Sequence, residues 1–289
     1  MSYRQYFNAI EADKNAKILE IGPLHRPIIR KSEYLNAIYC DIRSTDEIKS
    51  LYSGNDYLDT TELSVQVDKI VDIDVVIKDS YEATFASMHK FDYIVASHVL
   101  EHVEDLIFTL QDLSTILTDN GKLVIYYPDI RYSFDHFRAE ASFRDVYDVH
   151  INKRTALARM VFDFHNSVIP ENDAPVLWQP GSHYELLPTN DIKKSIEMFN
   201  RSYSGEFIDD VHYWPFSDTG FVKLLYDMTR SDMLHLICKE FYPTQFNTQE
   251  FLIVLEKSTG SWSKDDALQL LRLHYDNAYN TKIAAGDLQ

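Results

Sequence analysis

The stretch from Phe91 to Asp129 constrains the fold more than any other part of the chain. It opens with a nearly continuous apolar run, FDYIVASHV, then places Leu106, Leu110, Leu113 and Leu117 at helical spacing. It closes with a second run, KLVIYYPD. Runs of this kind are what strands buried on both faces require, and two such strands joined by a helix lie parallel. The intervening DNG, Asp119 to Gly121, is expected to stop the helix with glycine in its terminal position.

The same signature recurs upstream. AKILEIG (16–22) and AIYCDIR (37–43) read as buried strands, and VDIDVVIKD (71–79) as a weaker third. Residues 129–216 lose this rhythm. They are rich in aromatics, Arg and His, and IPENDAPVLWQPG within them reads as a loop. Regularity returns with Phe221, Leu224, Leu225 and Met228 on a helix behind the N-cap Ser217, followed by MLHLICKEFYP and EFLIVLEKS as an antiparallel hairpin. KDDALQLLRLHY is an amphipathic helix that can pack on the body or on a second subunit, so a homo-oligomer stays open. The order specifies a doubly wound α/β fold with a core at 1–128, an inserted cap or substrate region at 129–216, a return to the core with helix and hairpin at 217–258, and a C-terminal helix and tail at 259–289.

Composition narrows the partners. With 45 acidic against 28 basic residues and a formal charge of −17, the chain is a poor match for a nucleic-acid backbone. A substrate that is small, or neutral over most of its area, suits it better. Two cysteines, Cys40 and Cys238, lie far apart in apolar runs and read as buried thiols of a reducing compartment. No apolar stretch has signal-peptide or membrane-span length, and a cytoplasmic protein is expected.

The layout, with LEIG at the first strand, CD at the second and SHVLEHVEDLIFTLQDLSTILTDNGKLVIYYP across the fourth and fifth, resembles the class I S-adenosylmethionine-dependent methyltransferases. The continuation PDIRYSFDHFR and the later DVHYWPFSDTGF are similar to a bacterial subgroup found with polysaccharide-assembly enzymes. The resemblance implies a Rossmann-like methyltransferase sheet with S-adenosylmethionine at the carboxyl ends of its strands. Gly22 supplies the tight turn after the first strand. A dinucleotide would need further glycines around its pyrophosphate, and Pro23 and Pro27 stand there instead. S-adenosylmethionine has no phosphate, so the loop argues against a nicotinamide cofactor more than against it.

By the same resemblance Glu20 accepts from the cofactor's amino group or caps the following amides, and Asp41 takes the ribose hydroxyls. Asp74 is favoured over Asp72 for the adenine edge, and Ser97 and His98 line the pocket. HVLEH, His98 to His102, matches an inverted zinc-protease signature, but its first histidine ends a strand. No resident metal is expected, since His98 stands where a hard cation would want carboxylate oxygen. A hydroxyl acceptor needs a proton sink, for which His136, His98 and the adjacent Asp135 are the catalytic candidates, with His183 and His212 behind them. Arg131 and Arg138 can bind an acidic group or pair at the surface; Tyr132, Tyr184, Tyr213 and Trp214 can stack on a sugar or fill the core. The expected activity is O-methylation of a saccharide or other small hydroxylated acceptor. The alternative is a non-catalytic scaffold of the same fold in a glycan-assembly complex.

Overall fold

The computed structural model describes residues 13–53, 65–169, 176–179, 187–188, 191–257, 260 and 262–285. Strands β1 (Lys17–Ile21), β2 (Asn36–Asp41), β3 (Val75–Val76), β4 (Phe91–Ser97), β5 (Leu117–Pro128), β6 (Leu236–Tyr242) and β7 (Glu250–Lys257) form one sheet of order β3-β2-β1-β4-β5-β7-β6. The first five are parallel, and β7 runs antiparallel to both β5 and β6. This is the Rossmann-like methyltransferase arrangement with its terminal hairpin. The strand order reverses between β1 and β4, where an open α/β sheet leaves a crevice at its carboxyl edge.

Alternation explains the apolar runs. Leu19, Ile94, Ala96, Leu123, Ile125, Phe251 and Ile253 face a large core shared with α3 (Leu106–Thr115) and α6 (Asp218–Arg230). Their neighbours Ile18, Val95, Val124, Tyr126, Leu252 and Val254 face the opposite side, with Ile29 and Tyr34 packed on them. α1 (Thr45–Ser53) and α2 (Tyr81–Phe85) fill the crossovers among the described residues before β4.

Two sequence expectations are corrected here. The third strand is two residues long rather than spanning 71–79, because Asp74 takes part of the pairing into its side chain: its amide donates to the Tyr39 carbonyl while its Oδ2 accepts the Tyr39 amide at 2.7 Å. DNG does not end α3 either. The helix stops at Thr115 with Ile116 as C-cap, and Leu117 already belongs to β5. Asn120, not glycine, takes the left-handed conformation (φ 64°). Gly121 is needed for close approach, since a Cβ there would lie 2.9 Å from the carbonyl oxygens of Phe91 and Thr118, at the irregularity where β5 joins β4.

The inserted region is more regular than its sequence suggests. α4 (Phe143–Ser167) runs for 25 residues behind a capping box of Ser142 and Asp145, and bends at Asn152 (φ −117°, ψ 33°). α5 (Ile192–Tyr203) packs against it. Only a thin stripe of α4 is buried, chiefly Val146, Val149, Leu157 and Val161, and the bend interrupts the period, so the apolar repeat along this helix is weak. The segment leaves and rejoins the sheet at one place: a parallel bridge joins Asp129 to Phe216, and the Ala141 amide donates to the Pro215 carbonyl. α7 (Lys264–Ala285) lies on the body against α6, and His274 Nε2 is bonded to the Cys238 carbonyl. Both cysteines are buried and free, and no helix of the described residues is long and apolar enough to cross a membrane.

Gly121→Ala must push backbone rather than a flexible side chain, so it should lower stability by about 1–3 kcal/mol. The urea midpoint is expected to fall with the slope unchanged.

Candidate functional site

The carboxyl edge is built around the turn after β1. Gly22 takes φ +62°, and its amide donates to the Cys40 carbonyl at 2.9 Å. A Cβ there would stand 3.2 Å from Val99 Cγ2 and 3.9 Å from Asp41 Oδ2, so the missing side chain leaves room where β1, β2 and β4 end. Pro23 is buried and its carbonyl accepts the Arg26 amide; Leu24 is left-handed too (φ 47°). The loop is then clamped from below. Glu20, 2% exposed, accepts the Ile28 amide on Oε1 at 2.7 Å and the Ile29 amide on Oε2 at 2.8 Å. Of its two anticipated roles, the geometry puts the carboxylate in the amide-capping one.

Asp41 Oδ1 accepts the Arg43 amide at 3.0 Å, and its other oxygen faces the Gly22 turn. Burial pushes its pKa up, against the opposing Arg43 amide and charge, so donors offered to it would be well used. Asp74 is not brought to the same place. It pairs opposite Tyr39, two residues short of the end of β2, and both its oxygens hold Lys31 Nζ, at 2.7 and 2.6 Å. Ser97 ends β4 opposite Tyr126, and His98 follows with φ +52°, an uncommon conformation for a residue with a side chain.

Beyond His98 the chain makes one 3-10 turn, Leu100 to His102, that drives Glu101 completely into the interior. Three histidines surround this carboxylate: His98 Nδ1 at 3.6 Å and the Nε2 atoms of His102 and His212 at 3.9 Å, all measured to Oε1. Each has a second anchor. His98 Nε2 meets Glu250 Oε2 at 2.8 Å, His102 Nδ1 meets the Val211 carbonyl at 3.1 Å, and His212 Nδ1 meets Asp135 Oδ2 at 2.6 Å. Arg138 completes the group, donating to Asp135 Oδ1, Asp163 Oδ2 and the His212 carbonyl.

Electrostatics follow from burial and pairing. Burial would raise the Asp135 carboxyl, but the charges of His212 and Arg138 outweigh it and hold it at about 2. Burial would lower His212, yet Asp135 raises it. Glu101 is pushed up by burial, which the neighbouring imidazoles only partly oppose, and His102 is pushed down to about 3 by burial and by His212.

The structure thus separates the DH pair. Asp135 serves His212, 77 residues away, while His136 Nδ1 sits on the Arg131 carbonyl at 2.8 Å. Arg131 grips Asp129 with two nitrogens and reaches Asp218 at 2.9 Å, and both carboxylates are fully buried. Both arginines are therefore paired within the protein rather than at its surface. Tyr213 and Trp214 are core residues, but Tyr132 lies flat on Trp178, 3.6 Å between centroids and 6° between planes. His183 and Tyr184 lie outside the described residues. A cleft of about 790 Å³ along α4, lined by Glu140, Arg144, Asp148, Ile151, Met160 and Asp163 among others, shares no residue with the Gly22–Asp41 rim.

Residues 3–164 match the family described as Methyltransferase domain, more than half of the chain. The chain belongs to this family. It carries an S-adenosylmethionine-dependent methyltransferase domain. No curated protein matches it. Among solved structures it is similar to the mitomycin 7-O-methyltransferase MmcR (10% identity, 88% of this chain and 52% of that one, TM-score 0.40). Others are a SAM-dependent methyltransferase from Methanosarcina mazei (15%, 87% and 97%, TM-score 0.40) and the plantazolicin methyltransferase BpumL in complex with SAH (11%, 89% and 81%, TM-score 0.43). The chain spans about half the length of the mitomycin enzyme.

The rim fits the methyltransferase's cofactor: an open turn at Gly22 with the carboxylate oxygen of Asp41 beside it, and no demand for phosphate-binding glycines. Glu20→Ala leaves the buried Ile29 amide and the part-buried Ile28 amide without their acceptor, a loss of about 1–3 kcal/mol for the buried one and less for the other. Amide exchange at Ile28 and Ile29 should accelerate while that of β4 is less affected.

Proposed function

We propose that this methyltransferase transfers its methyl group to a hydroxyl oxygen of a saccharide or another small hydroxylated acceptor, with the donor at the rim between Gly22 and Asp41. One observation carries the reading: His98 is held in a left-handed conformation just past the end of β4, adjacent to Val99, whose Cγ2 would stand 3.2 Å from a Cβ at Gly22. A histidine at that place can take the proton a hydroxyl gives up as it is methylated.

When bound, S-adenosylmethionine supplies a methyl on a sulfonium already activated for in-line displacement. The protein's part is to bind, align, exclude water and accept a proton. In this reading Gly22 and Pro23 shape the donor's seat and Glu20 fixes the loop beneath it. Asp41 Oδ2 receives the ribose hydroxyls, and Ser97 and His98 border the methyl side. Asp74 supports the rim through Lys31 and Tyr39 rather than meeting the adenine. The side chain of His98 is 39% exposed, with Nε2 on Glu250 and Nδ1 3.6 Å from Glu101 Oε1, so two carboxylates favour the imidazolium that forms as it takes the acceptor's proton. Asp135 is a positioning residue acting through His212, and His136 is the second candidate for proton acceptor. The Tyr132–Trp178 pair at the cap offers an aromatic face of the kind sugars stack on, and the −17 charge favours a neutral acceptor.

Asp41→Ala is expected to weaken S-adenosylhomocysteine binding about 10- to 100-fold in a calorimetric titration, the value of a charge-assisted pair of hydrogen bonds. His98→Asn should weaken that affinity less than Asp41→Ala does, while lowering kcat on a hydroxylated acceptor by about 10²- to 10⁴-fold. Loss of turnover in His136→Asn with His98→Asn active would move the base to His136. Methyl recovered on carbon would overturn the hydroxyl assignment.

A further inference from the structure

We infer that Glu101, His102 and His212 form a binding site for one divalent transition-metal ion of the zinc class. The inference goes beyond the methyl-transfer reading and is independent of the acceptor. One donor atom from each residue lies within 4.8 Å of the others.

The decisive feature is which atoms face inward. Glu101 is 0% exposed, and among the described residues neither of its oxygens accepts a hydrogen bond from another residue. A buried carboxylate without donors is costly and calls for an explanation, an ion being one. The two imidazoles are oriented from behind: His102 Nδ1 faces the Val211 carbonyl and His212 Nδ1 the Asp135 carboxylate, at 3.1 and 2.6 Å. Both anchors are acceptors, so both Nδ1 atoms carry the protons. The Nε2 atoms then turn toward Glu101 Oε1, each 3.9 Å away. Backing of a ring nitrogen by a carboxylate or a carbonyl is the outer shell that metal-bound histidines use, and Arg138 holds the Asp135 carboxylate in turn.

The donor set selects the ion. Two imidazoles and one carboxylate suit zinc, cobalt or iron(II) better than magnesium or calcium, which prefer oxygen. Bonds of about 2.0–2.1 Å would space tetrahedral donors roughly 3.4 Å apart, so each 3.9 Å separation needs to close by about half an ångström. The surroundings permit this on one side, since the His102 side chain is 33% exposed. The fourth position opens toward His98, whose Nδ1 lies 3.6 Å from the same Glu101 oxygen. Binding displaces any protons on the two Nε2 atoms and on the carboxyl.

The test is a calorimetric titration of the chelator-treated full chain with Zn²⁺, repeated with Co²⁺ while its visible absorption is followed. One ion per chain is expected, with Co²⁺ bands of a low-coordinate nitrogen and oxygen site. His102→Gln, whose side chain is partly exposed and should fold normally, and Glu101→Gln should each weaken binding by at least about 100-fold. Asp135→Asn, one shell out, should weaken it by about 10- to 100-fold. A folded wild-type chain that takes up no stoichiometric Zn²⁺ would overturn the site, leaving protons as the occupants of the cluster. So would binding that survives His102→Gln and Glu101→Gln unchanged.

Discussion

The turn after β1 is the constraint on which the rest of the molecule depends. A backbone that passes close to Val99 at positive φ favours glycine, and Gly22 meets that need while its amide keeps the ladder to β2 intact. The loop it starts would peel away without an anchor, and the Glu20 carboxylate supplies one by taking two successive amides. Rigidity below and openness above are what a site for a phosphate-free nucleoside requires.

The second constraint is how a long insertion is tied to the end of β5. Asp129, Arg131 and Asp218 form a buried set that also engages Thr244 on the β6–β7 connection, so the strand end, the start of α6 and the hairpin meet at one place. Buried ion groups of this kind are weak sources of net stability but strong ones of geometry. Here the geometry has a use. The returning chain runs past Val211 and His212 directly under the turn that carries Glu101, and the Tyr213 amide donates to the Glu101 carbonyl. The insertion therefore completes the histidine cluster that β4 begins.

The sequence made the sheet easy to see because strands buried on both faces leave continuous apolar runs, and LEIG, FDYIVAS and KLVIYY are such runs. It misled where side chains replaced backbone partners, as Asp74 does in β3, and where a helix buries only a narrow stripe, as α4 does. The site divides in the same way. Gly22, Asp41 and His98 are legible from their places at strand ends. The pairing of Asp135 with His212 is not, because the fold alone brings positions 77 residues apart together. The burial of Glu101 among imidazoles was half visible, since HVLEH shows two of the three histidines and the third arrives from the far end of the insertion.

The central claim is that the methyl donor rests on the carboxyl rim between Gly22 and Asp41. A crystal structure of the chain soaked with S-adenosylhomocysteine tests it most directly. Density for the adenosyl group over Gly22, with both ribose hydroxyls on the Asp41 carboxylate, is the expected result. A nucleoside seated elsewhere, with the Asp41 carboxylate turned away from it, would contradict the account.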